Sequence, residues 1–113
     1  MFQKDLLKDK TIIVTGGGTG LGLAMGTRFS ELGANLVITS RRQDVLDQSA
    51  KAISAETGGK VLAISTDIRE PEQVQAMVKK TVDHFGEINA CLNNAAGNFI
   101  SPTENLSENA FKT

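Results

Sequence analysis

Four short apolar runs, at 11–15, 35–39, 60–65 and 88–93, alternate along this chain with three helix-length segments. None of the runs alternates polar with apolar residues, as a strand must when one of its faces meets water. Runs of that kind separated by amphipathic segments predict the order β-α-β-α-β-α-β, a parallel sheet with right-handed crossovers. The first helix is expected over 20–32, with Gly33 as its stop. The second, over 43–57, puts Val45, Leu46, Ala50 and Ile53 on one stripe before Gly58-Gly59. The third, over 71–85, carries Val74, Met77, Val78, Val82 and Phe85 at helical spacing, with Pro71 in its first turn and Gly86 at its end. After Gly97 a loop containing Pro102 is expected, then Ser107 as the N-cap of a further helix. The fold class is α/β, a doubly wound parallel sheet truncated after its fourth strand, which would be an open apolar edge.

Charge and composition exclude several function classes. The chain has 113 residues, at most one domain, with 12 basic and 13 acidic side chains and a formal net charge of −1. That balance gives no electrostatic footprint for nucleic acid or an acidic membrane surface. No stretch reaches the roughly 18 apolar residues that span a bilayer. Cys91 is the only cysteine, which excludes an intrachain disulfide and disfavours a cysteine-built metal site; in its apolar run it reads as a core thiol. No metal site is expected. Residues 1–5, Met-Phe-Gln-Lys-Asp, lack a signal or transit pattern, so the expected address is cytoplasmic.

The loop after the first run reads Thr15-Gly16-Gly17-Gly18-Thr19-Gly20-Leu21-Gly22. A glycine-rich turn between a buried strand and a helix start suits a dinucleotide pyrophosphate, which helix-start N–H groups can face. In this reading Gly16 permits the tight turn, Gly20 lets backbone approach phosphate, and Gly22 lets the helix pack close to the sheet. A flexible loop is the bland alternative. At the end of the second run stand Thr39-Ser40-Arg41-Arg42, with no acid before Asp44. A carboxylate there would bind the ribose 2′-OH of NAD, whereas a guanidinium matches the 2′-phosphate of NADP. The competing reading is a solvated arginine pair at a helix start, where cations oppose the dipole. Asp67 and Ile68 follow the third run and suit adenine, or Asp67 forms a turn with Glu70-Pro71; Arg69 is a surface charge or a phosphate ligand. Asn93-Asn94-Ala95-Ala96-Gly97 closes the fourth run, where small residues leave room for a nicotinamide riboside, though an ordinary Asn/Gly turn has the same composition. His84, at a helix C-terminus, reads as structural.

These motifs, in this order and spacing over the whole chain, resemble the short-chain dehydrogenase/reductase family. Ser40-Arg41, the segment Asn93-Asn94-Ala95-Ala96-Gly97-Asn98-Phe99-Ile100-Ser101-Pro102-Thr103, Leu106-Ser107 and Asn109-Ala110-Phe111 resemble the 2,4-dienoyl-CoA reductases within it. Ala96 departs from the family's common Asn-Asn-Ala-Gly. The resemblance implies a Rossmann-type NADP(H)-binding domain, of which residues 1–113 are the N-terminal part. It implies a pyrophosphate wrapped by Gly16, Gly17, Gly18, Thr19, Gly20 and Leu21. Arg41 would hold the 2′-phosphate, Asp67 and Ile68 the adenine, and Asn94 would lie on the cofactor side. Arg69, Phe99 and Ser107 match positions that meet an acyl-CoA thioester. The implied reaction reduces 2,4-dienoyl-CoA to 3-enoyl-CoA in unsaturated fatty acid β-oxidation, in a homo-oligomer, commonly a tetramer, with no nucleic-acid or membrane partner. The family's catalytic tyrosine and lysine lie beyond the fourth strand, and this chain has no tyrosine; the expectation is that no catalytic residue is present and that the chain alone is poorly stable and does not turn over. A 3-oxoacyl thioester reductase and a non-catalytic dinucleotide-binding module are the other readings.

Overall fold

The four apolar runs become parallel strands because every second side chain enters one of two separate cores. The computed structural model describes residues 6–16, 18, 20–94 and 100–102. In chain order they form β1 (Thr11–Thr15), α1 (Gly20–Glu31), β2 (Asn35–Ser40), α2 (Gln43–Thr57), β3 (Val61–Ser65), α3 (Pro71–Phe85), β4 (Ala90–Asn93) and β5 (Ile100–Pro102). Ile13, Val37, Ile64 and Cys91 point to one face and pack with Val74 and Met77 of α3. Ile12, Val14, Leu36, Ile38 and Leu92 point to the other and pack with Leu46 and Ile53 of α2 and with Leu23 and Phe29 of α1. Burying one such side chain contributes roughly 1.5–3 kcal/mol. Propensity differences are tenths of a kcal/mol, so the two-faced pattern decides the architecture.

The sheet runs β3-β2-β1-β4-β5. Thr11 to Thr15 pair in parallel with Asn35 to Thr39, and Ile12 to Thr15 with Ala90 to Asn93. β1 is therefore central, and the strand order reverses beside it. Both later helices lie over the expected residues and end in glycines with left-handed backbone, Gly58 at φ 74° and Gly86 at φ 91°. α1 stops one residue short of expectation, since the Leu32 N–H is shared between the carbonyls of Arg28 and Phe29 before Gly33 turns the chain.

Three expectations need correction. The sheet does not stop at four strands. Ile100–Pro102 pairs antiparallel with the outer edge of β4, Ala90 opposite Pro102. The edge expected to be open is thus partly covered, and Pro102 belongs to a strand end instead of a loop. Proline is tolerated there because an outermost strand can spare a donor. β4 also begins two residues later than expected. Asn89 brackets Thr11 instead, its N–H donating to the Thr11 carbonyl (2.8 Å) and its Oδ1 accepting the Thr11 N–H (2.7 Å). On α3 the buried stripe is Val74, Met77 and Thr81, while Val82 is 41% exposed. Thr81 fits the apolar face because its hydroxyl donates to the Met77 carbonyl. Among the described residues no helix is long and apolar enough to cross a membrane.

Candidate dinucleotide site

Strand ends and helix starts meet on one side of the sheet, and the glycine loop is built there. Gly16 leaves β1 at φ 69°, its N–H donating to the Thr39 carbonyl at 2.7 Å. Gly20 opens α1 at φ 57°, and a Cβ on it would meet nothing within 4 Å. The backbone there needs glycine and leaves open space beside it. Gly22 serves a different contact from the one expected. A Cβ on Gly22 would overlap the Gly16 carbonyl oxygen and lie 3.0 Å from Asn94 Nδ2. Close packing of helix on sheet falls to Gly26, where a Cβ would come 3.2 Å from Leu36 Cδ2. Gly18 is buried against α2, and its carbonyl accepts the Ser49 hydroxyl at 2.6 Å. Leu21 projects outward, 54% exposed. Gly17 and Thr19 lie outside the described residues.

A cleft of about 290 Å³ opens beyond the ends of β1, β2 and β3, lined by Thr15, Gly16, Thr39 to Arg41 and Thr66 to Arg69. It joins five positions singled out from the sequence: Gly16, Arg41, Asp67, Ile68 and, expected on the substrate side, Arg69. The Arg69 side chain grips Asp67 through two hydrogen bonds of 3.0 Å, Nε to Oδ1 and a terminal N–H to Oδ2, and its backbone N–H adds a third at 3.0 Å. Those bonds, chiefly the guanidinium's, hold the Asp67 carboxyl at about 2, below the ordinary 3.8; the Arg41 charge adds a smaller pull. Ile68 lines the cleft and packs against the α3 core.

The two arginines at the end of β2 separate. Arg42 pairs with Asp44 at 3.4 Å, both well exposed. The solvated-pair reading thus describes Arg42. Arg41 lines the cleft and makes no ion pair among the described residues. The cleft wall also holds Thr39, fully buried, whose Oγ1 has no hydrogen-bond partner among the described residues. An orphaned hydroxyl at the wall of a cleft, a guanidinium that makes no ion pair among the described residues and, at Gly20, a left-handed glycine beside open space fit a dinucleotide.

Where the strand order reverses, the Thr15 hydroxyl donates to Asn93 Oδ1 at 2.8 Å, tying the ends of β1 and β4 together. Asn94 stands beside the start of α1, close to Gly22. Ala95 to Phe99 and Ser107 lie outside the described residues. His84 stacks edge-on against Phe85, ring centroids 4.6 Å apart. Among the described residues no group of acidic, histidine and cysteine side chains could hold a metal. A larger hollow of about 650 Å³ lies outside β3, lined by Gln43, Leu62, Ser65, Lys80, Asp83 and His84 among others. It meets neither the glycine loop nor Arg41, so its size does not make it the candidate site. Sequence reasoning missed Gln43, Ser49 and Ser65. Ser49 did leave a signal, a polar residue three after Leu46 and four before Ile53 on the buried stripe.

Residues 10–113 match the family model described as short chain dehydrogenase. The chain is 41% identical over 113 residues to the peroxisomal 2,4-dienoyl-CoA reductase [(3E)-enoyl-CoA-producing] of Danio rerio, covering all of this chain and 38% of that one. Among solved structures, it resembles the citronellol catabolism dehydrogenase AtuB of Pseudomonas aeruginosa PAO1, with a TM-score of 0.75 and 36% identity over 80% of this chain and 38% of that one. It also resembles L-sorbose reductase of Gluconobacter frateurii, a structure complexed with NADPH and L-sorbose, with a TM-score of 0.78 and 31% identity over 83% of this chain and 36% of that one. The chain thus spans less than two-fifths of the length of each of these relatives.

Proposed function

Because this chain belongs to the short chain dehydrogenase family, we propose that it binds NADPH in the cleft at the ends of β1, β2 and β3 and serves the reduction of 2,4-dienoyl-CoA to 3-enoyl-CoA. The observation that carries the cofactor assignment is Arg41, unpaired among the described residues, in a cleft whose β2 end has no carboxylate. In this reading Gly16, Gly17, Gly18, Thr19, Gly20 and Leu21 surround the pyrophosphate at the start of α1. Arg41 holds the 2′-phosphate, Asp67 and Ile68 hold adenine, and Asn94 lies toward the nicotinamide. The bound cofactor supplies the hydride; the chain's part is to hold and orient it.

The substrate assignment is supported by the names of relatives such as the zebrafish reductase and by the segment after Asn93. Arg69, Phe99 and Ser107 are the proposed acyl-CoA contacts. Arg69 shares the cleft with Arg41 and is held by Asp67, an arrangement that suits a second phosphate-facing role equally well.

The test uses the full protein with NADPH and either a 2,4-dienoyl-CoA or a 3-oxoacyl-CoA, following cofactor absorbance. Consumption of NADPH with the dienoyl thioester and little with the 3-oxoacyl thioester supports the reading, and the opposite preference overturns it. The 113 residues alone are expected to bind NADPH without turnover, and sustained reduction by them would contradict that. A tetramer is the proposed assembly, checked by analytical ultracentrifugation. The zebrafish relative's name carries a peroxisomal address, which competes with the cytoplasmic one; imaging of the tagged full protein separates them.

A further inference from the structure

Among the described residues β3 is an edge strand, and no neighbouring strand there pairs with its outward backbone groups. Lys60 O and Thr66 N bond to β2, so by the two-residue period Ala63 and Ser65 direct their backbone groups away from it. The side-chain amide of Gln43, the first residue of α2, stands in for the absent strand. Its Oε1 accepts the Ser65 N–H at 3.1 Å, and its Nε2 lies 3.4 Å from the Ala63 carbonyl. The same Nε2 donates to Asp47 Oδ1 at 2.8 Å, which fixes the amide's orientation. A second link closes the frame: the Ser65 hydroxyl donates to the Arg41 carbonyl at 3.3 Å.

These bonds join two segments that both line the cleft. The β2–α2 turn carries Arg41, and β3 runs on through Thr66 into Asp67. Neither Gln43 nor Ser65 lines the cleft itself. We infer that Gln43 and Ser65 are positioning residues that set the separation between Arg41 and Asp67, and so the preference for a 2′-phosphorylated cofactor. The inference rests on the NADPH-binding reading above.

The experiment measures dissociation constants for NADPH and for NADH by calorimetry on the full protein and on Gln43→Ala, Gln43→Glu and Ser65→Ala, with Arg41→Ala as reference. Loss of exposed hydrogen bonds, three in Gln43→Ala and one in Ser65→Ala, is expected to lower the NADPH/NADH preference about fivefold, with NADH binding held within about twofold. Gln43→Glu keeps an acceptor for Ser65 but sets a carboxylate against Asp47 Oδ1 and the Ala63 carbonyl, so it should lower the preference at least as far as Gln43→Ala. In the Arg41→Ala background Gln43→Ala should change the preference no further. An unchanged preference in Gln43→Ala and Ser65→Ala, or an equal loss for both cofactors, overturns the inference while leaving the NADPH reading intact. If wild type binds neither cofactor, both fall together. If Gln43→Ala does not fold, Ser65→Ala decides alone.

Discussion

Asp67 and Arg69 sit two residues apart in the lining of the cleft, and their geometry fixes how each can act. An aspartate already accepting three hydrogen bonds from one residue is held charged and oriented before any ligand arrives. Its carboxyl titrates at about 2, against an ordinary 3.8. A depressed carboxylate stabilises the fold above its unfolded value, and that contribution is lost as pH falls through the folded one. The window therefore lies between about pH 4 and pH 2. NMR titration of the Asp67 carboxyl should give a midpoint near the lower end. In Arg69→Gln the midpoint should rise toward the ordinary value, and no movement would remove the pairing from the account. Gly22 offers a test of packing at the same scale. Gly22→Ala drives a methyl onto the Gly16 carbonyl and should cost about 1–3 kcal/mol in urea unfolding. Gly26→Ala meets side-chain atoms of Leu36 and, at 3.8 Å, of Ile38 and should cost less, because side chains can shift where a backbone carbonyl cannot. The placing of Arg41 at a strand-end cleft was legible in the sequence, because a residue directly after a buried strand in an α/β sheet comes to that edge. The tight bond between Asp67 and Arg69 was not, since the sequence left Arg69 with either of two roles.

Helix α2 braces both halves of the site. Its first residue ties the β2–α2 turn to β3, and Ser49 in its middle holds the glycine loop through the Gly18 carbonyl. Removing the Ser49 hydroxyl leaves a buried carbonyl without that donor, a loss of about 1–3 kcal/mol. Ser49→Ala is expected to weaken NADPH and NADH by the same factor, because in the proposed binding mode the loop it holds would face the pyrophosphate common to both. Calorimetry checks this, and a selective loss of NADPH binding would show that the loop is not what Ser49 positions. The helices themselves were readable, since α2 and α3 occupy the residues that apolar spacing, proline and glycine marked. The side-chain links were not. Ser49 and Gly18 are 31 residues apart, Gln43 and Ser65 are 22 apart, and periodicity reports a buried face without naming its hydrogen-bond partners. β5 escaped for another reason: three residues containing a proline carry too little pattern to distinguish a short edge strand from a loop.

Across the whole molecule, one sheet with a core on each face holds the cleft walls in register. Cys91 belongs to one of those cores, 1% exposed, and burial pushes its thiol up to about 12 from 9.0. A raised acid favours the folded state below the unfolded value, and that contribution fades as pH rises from about 9 toward the folded value. Relative to Cys91→Ala, wild type should therefore lose stability above about pH 9, and its thiol should react with a disulfide reagent only at the rate of unfolding. Fast labelling of the native protein would contradict the buried placement. In the proposed binding mode the strand-end cleft is an NADPH site selected by Arg41. The most direct test of that assignment is calorimetric titration of wild type and Arg41→Ala with NADPH and NADH. Wild type should prefer NADPH, and Arg41→Ala should weaken NADPH by about ten- to a hundredfold, the worth of a charge-assisted contact, while NADH binding is unchanged. Equal affinity of wild type for the two cofactors, or an Arg41→Ala variant that keeps the preference, would contradict it.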